Sequence, residues 1–208
     1  MDEVALVAEL LRAHGVHTIL LYGSRARGDA TAESDIDVAT FADVDVTLRD
    51  ARRWNGMFLD AFVYPTAVAS ELPDVEMLKL RGAKVLLDVR GLAAPLLARV
   101  AARDRLGPTP ITEDDRQMRI VWARKMMDRV GRGDVEANYR YHWLLYQLLE
   151  DYFALRGQWY RGPKEALATL RSDDPRAFAL FESALSRTAP PEALAPLVAY
   201  VSDDSVGA

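Results

Sequence analysis

The chain has 208 residues, half of them hydrophobic, with a net charge of −5 and no cysteine. That length suits one large or two small domains with a packed core. Disulfides and cysteine-ligated zinc are excluded, the acidic balance disfavours extended nucleic-acid binding, and no apolar run approaches the ~20 residues of a membrane span. In chain order, Met1-Asp2-Glu3 lacks the charge pattern of a signal peptide, so a cytoplasmic protein is expected. Residues 2–13 read as an amphipathic helix, with Val4, Val7 and Leu11 on one stripe, Leu6 and Leu10 beside it, and Gly15 as its stop. His14 and His17 flank that turn and read as surface or turn histidines, since no partner stands at metal spacing. Thr18–Tyr22 is an apolar run stopped by Gly23-Ser24, the pattern of a buried strand ending in a tight turn. Arg25, Ala26 and Arg27 suit a short helix whose first N–H groups, with the Ser24 hydroxyl, form an anion site. A second strand is expected from Ser34 to Phe41. Asp35 and Asp37, two apart, then leave the same face. Carboxylates that close repel unless a cation joins them, and hard oxygen ligands suit Mg²⁺ or Mn²⁺ completed by substrate phosphates.

Residues 46–54 read as a short polar helix on which Arg49, Arg52 and Arg53 form a solvated face. Met57 to Tyr64 reads as a third strand, stopped by Pro65. Asp60 is out of place in that apolar run. A buried lone carboxylate is costly, and the cost is offset if it faces the cation of Asp35 and Asp37. Asp43, Asp45 and Asp50 are its rivals, but they fall in a turn or helix start, where Asp is ordinary. Residues 83–89 read as a fourth strand with Lys84 and Asp88 as edge charges, followed by a helix over 92–105. Gly107-Pro108-Thr109-Pro110 is the best linker, giving domains 1–107 and 108–201 and a flexible tail over 202–208.

The second part reads as helical throughout. Thr112 opens a helix with acids in its first turn and a core stripe of Met118, Trp122, Met126 and Val130. A helix over 135–155 carries Tyr139, His142, Trp143, Tyr146, Leu149 and Phe153 at helical spacing, and these aromatics read as core. Glu150 on that helix is a general base or a salt-bridge partner. Pro163 starts the next helix, which puts Lys164 in its first turn, able to reach phosphate as a point charge. Two short helices, about 174–187 and 190–201, close the bundle.

Taken together, Gly23-Ser24, a spacer and Asp35-x-Asp37 resemble the signature of the DNA polymerase β-like nucleotidyltransferase superfamily. The form Gly-Ser-Arg-Ala-Arg-Gly followed by Ser-Asp-Ile-Asp is similar to its minimal and antibiotic-modifying branches. The resemblance implies an α+β chain: a small mixed-sheet nucleotidyltransferase domain with flanking helices, then an all-α helical bundle. That arrangement looks like the kanamycin- and lincosamide-type enzymes, although the helical half resembles them in architecture alone. The implied activity is transfer of a nucleoside monophosphate from a nucleoside triphosphate to a hydroxyl acceptor, small molecules favoured, with release of pyrophosphate. Gly23, Ser24 and Arg25 would hold the triphosphate. Asp35, Asp37 and Asp60, the last matching the family's third carboxylate, would form a two-ion Mg²⁺ or Mn²⁺ site, with Asp60 also taking the acceptor's proton. Lys164 matches by type and location a triphosphate-binding lysine of the related enzymes, and Glu150 is the candidate acceptor base. A homodimer or a helical protein partner would fit the same branches. The alternative is a nucleotide-binding or antitoxin-like module that acts mainly through protein association.

Overall fold

The computed structural model describes residues 1–70 and 75–203, so most of the expected tail lies outside the described residues. The chain divides into two compact units, Met1–Leu106 and the residues from Gly107 on.

The first unit is built on a five-stranded sheet. In chain order its elements are α1 (Glu3–His14), β1 (Thr18–Tyr22), α2 (Gly23–Arg27), β2 (Ile36–Ala42), β3 (Leu48–Trp54), β4 (Met57–Pro65), β5 (Lys84–Asp88) and α3 (Ala93–Leu106). Two 3₁₀ turns, Thr66–Ser70 and Glu76–Leu80, lie between β4 and β5. The strand order is β3-β4-β2-β1-β5. The sheet is mixed, because β2 and β4 run parallel while the other neighbours are antiparallel. β1 lies between β2 and β5 and is buried along its whole length, which explains its unbroken apolar run.

Strand alternation sorts the side chains onto two faces. Ile19, Leu21, Ile36, Val38, Leu59, Ala61 and Val63 pack with Leu6 and Leu10 of α1 to make one core. Asp2 caps α1 by accepting from the Ala5 amide at 3.0 Å, and Gly15 ends the helix in the left-handed region with φ of 62°. The other face carries Leu20, Ala39, Phe41 and Tyr64, also buried, with Leu96 and Val100 of α3 buried in the same unit. Asp88 caps α3, accepting from the amides of Leu92 and Ala93 at 3.0 Å each. It is therefore a structural carboxylate rather than a loose edge charge, while Lys84 pairs with Glu3 at 2.7 Å.

The expected polar helix over 46–54 is instead strand β3. Asn55 (φ 49°) and Gly56 (φ 82°) form the two-residue turn of a β3–β4 hairpin, and Asn-Gly is the pairing such turns favour. β3 is an edge strand, and its arginines protect the exposed edge from pairing with another chain. His17 also departs from expectation. It is buried, with its ring nitrogens 3.1 Å from the Thr18 hydroxyl and 2.9 Å from the Thr66 hydroxyl.

The second unit holds α4 (Glu113–Val130), α5 (Val135–Leu155), α6 (Pro163–Asp173), α7 (Pro175–Leu185) and α8 (Leu194–Val201), with no strand among its described residues. The Thr112 and Asp134 side chains cap α4 and α5. Its core is Leu144, Leu145, Leu148, Leu149, Tyr152 and Phe153 of α5 against Leu170, Phe181, Leu194 and Leu197. Arg119 of α4 pairs with the buried Asp151 of α5, and Asp174 accepts from the Tyr152 hydroxyl at 2.7 Å and the Tyr200 hydroxyl at 3.0 Å. Two expectations fail here. Tyr139, Trp143 and Tyr146 are 68, 45 and 70 % exposed, and Met118 is 62 % exposed. Leu144, Leu145, Leu148 and Leu149, with Tyr152 and Phe153, fill the buried stripe of α5, so Phe153 is the expected aromatic that does face the core. The fully buried residues of α4 are Ile120, Ala123, Met126 and Val130, and the half-buried Trp122 packs against the same core and edge-on against Trp143 at 5.3 Å.

Candidate active site

The site lies on the sheet face away from α1, where strand register brings the acids together. Tyr22 of β1 stands opposite Asp37 of β2, and Asp37 stands opposite Asp60 of β4. Paired residues on neighbouring strands share a face and are about 5 Å apart along the sheet. The two carboxylates from separate strands are therefore next to each other. Asp35 precedes Asp37 by two residues, in the exposed segment that leads into β2.

Three features show how close these charges are. Burial raises the Asp37 pKa, and the carboxylates of Asp35 and then Asp60 raise it further, against the weaker pull of Arg27 and Lys79. Tyr22 is pushed well up by its burial and by the charges of Asp37 and Asp60. The turn that opens α2 also presses on Asp37. Gly23 has φ of 70°, and a Cβ there would lie 2.4 Å from an Asp37 carboxylate oxygen. Position 23 thus needs glycine twice over, for its backbone and for the approach of Asp37.

Basic groups frame the acids. Arg25 donates through Nε to the Asp35 carbonyl at 2.9 Å and through Nη2 to the Ser34 carbonyl. Its guanidinium thereby clamps the main chain around Asp35, a framing contact that the expected phosphate role did not include. Arg49 is no member of a solvated helical face. It makes a bidentate pair with Asp60, Nε and Nη2 each 2.8 Å from a carboxylate oxygen, and its pKa is raised by that pair. Lys79 lies 3.9 Å from the centroid of the Phe62 ring and donates to the Tyr64 hydroxyl at 2.8 Å. Neither Arg49 nor Lys79 was singled out for the site from sequence. The Asn55-Gly56 turn was the available signal for Arg49, since it places 48–54 on a strand beside β4. Lys79 carried no signal.

Two of the three rival acids are held by other partners. Asp43 pairs with Arg90 and accepts from Thr66 at 2.9 Å, which holds its carboxyl far below the ordinary range. Asp50 pairs with His14 at 2.9 Å and Arg52 at 2.9 Å on the α1 face. Asp45 sits in the bend between β2 and β3. The structure thus brings Gly23, Arg25, Asp35, Asp37 and Asp60 together, with Ser24 following Gly23 as the second residue of α2. Glu150 and Lys164 belong to the second unit. Glu150 is exposed on α5, and its charge adds to burial in raising the Tyr160 pKa. Lys164 is the second residue of α6, after Pro163.

Residues 6–74 match the family model described as Polymerase beta, Nucleotidyltransferase. Residues 6–74 of the first unit are a polymerase β-like nucleotidyltransferase match. The five-stranded mixed sheet with its flanking helices fits that family. A solved nucleotidyltransferase-like protein from Exiguobacterium sibiricum 255-15 is 15% identical, with a TM-score of 0.41, covering 96% of this chain and 70% of that one. No curated protein matches the chain.

A nucleotidyltransferase domain implies a divalent cation, and the donor set suits one. All three acids offer hard oxygens, Asp37 carries a charge penalty that a cation would relieve, and the Arg49 guanidinium already stands on Asp60 as a cation. The described residues contain no group of three His, Cys, Asp or Glu already placed to hold a metal ion, and both Asp60 oxygens are engaged by Arg49. No helix among them is long and apolar enough to cross a membrane.

Proposed function

We propose that this protein transfers a nucleoside monophosphate from a nucleoside triphosphate to a hydroxyl acceptor, releasing pyrophosphate. The observation that carries the reading is the register of Asp37 against Asp60, with Asp35 two residues ahead and Gly23 held against Asp37. A packed core gains nothing from three converging acids, whereas phosphoryl transfer needs fixed negative groups to hold divalent cations.

In this reading Asp35, Asp37 and Asp60 hold Mg²⁺ or Mn²⁺, which when bound neutralises triphosphate charge and stabilises the attacking and leaving oxygens. The Gly23-Ser24 turn receives the triphosphate, its first residue bare of a side chain. Arg25 fixes the main chain of Asp35 and so sets the spacing of the first two carboxylates. Asp60, on the neighbouring parallel strand, takes the acceptor's proton. The acceptor oxygen attacks the α-phosphorus in line, the bond to the bridging oxygen breaks, and pyrophosphate leaves. Lys164 is assigned to the triphosphate and Glu150 to the acceptor. A small-molecule acceptor fits the chain's acidic balance better than a nucleic acid does.

The test incubates the purified full chain with Mg²⁺ or Mn²⁺ and each of ATP, CTP, GTP and UTP in the presence of a hydroxyl-compound panel. Pyrophosphate release with a matching mass increase on one acceptor is expected. Absence of both under every combination overturns the assignment.

A further inference from the structure

We propose that Arg49 is a latch on the third carboxylate: it holds Asp60 in the free protein and must release it for a divalent cation to bind. The inference rests on the nucleotidyl-transfer reading of this site. Its geometry is specific. Position 51, directly opposite Asp60 on β3, is the small Ala51, while Arg49 stands opposite Phe62. The guanidinium therefore reaches diagonally along the face, passing 5.2 Å from the Phe62 ring centroid, to put one nitrogen on each oxygen of Asp60.

Both carboxylate oxygens are thus engaged by a group that stays charged at every physiological pH. A divalent cation seeking Asp60 has to compete with that fork. The Arg49 side chain is 58 % exposed against 17 % for Asp60. On release the guanidinium moves into water, while the carboxylate stays in place for the cation. Arg49 also supplies one positive charge where Asp35, Asp37 and Asp60 would otherwise repel unopposed.

The other β3 arginines do not share this role. Arg52 pairs with Glu9 at 2.7 Å on the opposite face, and Arg53 donates to the Gly56 carbonyl at 3.3 Å. The latch lowers cation affinity by the fraction of molecules in which Asp60 is held, because only the released form is fully competent.

Mn²⁺ binding to the full chain, followed by calorimetry and by the electron paramagnetic resonance of free Mn²⁺, tests the latch without relying on activity. Arg49→Gln is expected to bind Mn²⁺ roughly two- to five-fold more tightly than wild type, the scale of one partly exposed ion pair. Arg49→Lys keeps the charge without the fork and falls between the two. Arg53→Gln removes an equal charge from the same strand face and should leave affinity unchanged. In an Asp60→Asn background, adding Arg49→Gln should bring no gain. Without Mn²⁺, Arg49→Gln should melt below wild type, and saturating Mn²⁺ should close that gap. Equal or weaker Mn²⁺ binding by Arg49→Gln, an equal gain in Arg53→Gln, or a gain that survives in Asp60→Asn overturns the latch alone. If neither wild type nor Arg49→Gln binds Mn²⁺, the latch and the nucleotidyl-transfer reading fall together.

Discussion

On the α1 face of the sheet Asp50 lies between Arg52 and His14, and Glu9 between Arg12 and Arg52. Both carboxyl groups are held below their ordinary range. Burial alone would raise Asp50, but its hydrogen bonds to His14 and Arg52 outweigh it, and the arginines act first on Glu9. On the opposite face Asp37 is pushed up, first by its burial and then by the neighbouring carboxylates of Asp35 and Asp60. β3 serves both faces by alternation, sending Arg52 to one and Arg49 to the other. The contrast separates acids that stabilise a fold from acids whose unfavourable placement needs a ligand to resolve it.

The sharpest way to break this contrast is to remove an acid from each face. Asp37→Asn and Asp35→Asn should each cut turnover about a thousandfold or more, the scale of losing a group that stabilises developing charge, while circular dichroism stays native. Asp60→Ala should keep triphosphate binding by calorimetry and lose turnover comparably. Near-normal turnover in Asp37→Asn would return that acid to a structural role.

Glycine substitutions come next. Gly23→Ala brings a methyl within 2.4 Å of an Asp37 oxygen as well as straining the backbone, whereas Gly28→Ala, at φ 83°, meets nothing within 4 Å. The backbone strain should cost each about 1–2 kcal/mol. If Asp37 serves transfer as proposed, Gly23→Ala alone should also lower kcat/KM by about a hundredfold, through displacement of the Asp37 carboxylate by the order of an ångström. Equal kcat/KM in the two variants would mean that Asp37 is not held by the turn.

Much of the site face was legible in the sequence, because its signals are local. Thr18–Tyr22 ends at a glycine whose necessity can be read, and Asp35-x-Asp37 carries its own spacing. Asp60 stood out as a charge in an apolar run. β3 was not legible by periodicity. It is an edge strand whose residues alternate between two polar tasks, so no apolar period marks it, and only the Asn55-Gly56 turn betrays it. The pairing of Arg49 with Asp60 depends on register across the hairpin, which the charge pattern alone does not encode. In α5, helical period located the aromatics without saying which stripe faced the core. Leucine at 144, 145, 148 and 149, continued by Tyr152 and Phe153, supplies that stripe, and Tyr139, Trp143 and Tyr146 are left outside.

A smaller effect tests whether the first unit's acids and turn suffice for triphosphate binding. Lys164 lies in the first turn of α6, where a point charge and the helix start both favour phosphate. Lys164→Ala should raise the KM for triphosphate roughly three- to ten-fold, the worth of one phosphate contact, with kcat little changed. An unchanged KM would leave triphosphate binding to Gly23, Ser24 and the three aspartates.

The smallest effects are on stability, and there the two faces should respond to pH with opposite signs. Asp50 has a lowered pKa in the folded chain, so its ion pairs contribute stability above the ordinary aspartate pKa of about 3.9. That contribution is lost as pH falls through the lower folded value. Asp50→Asn should therefore melt a few degrees below wild type at neutral pH, converge with it in acid, and turn over normally when folded. Asp37 has a raised pKa, so its protonated form favours folding. The stability it lends is full below the unfolded pKa and is lost as pH rises through the folded one. Asn mimics that protonated form. Without divalent cations, Asp37→Asn should melt above wild type at neutral pH and converge with it in acid. Saturating Mn²⁺ with a triphosphate should stabilise wild type alone, since ligand bound to the native state adds to its stability. A neutral-pH melting point for Asp37→Asn below wild type, moving with pH as Asp50→Asn does, would place Asp37 among the structural acids and erase the difference between the two faces.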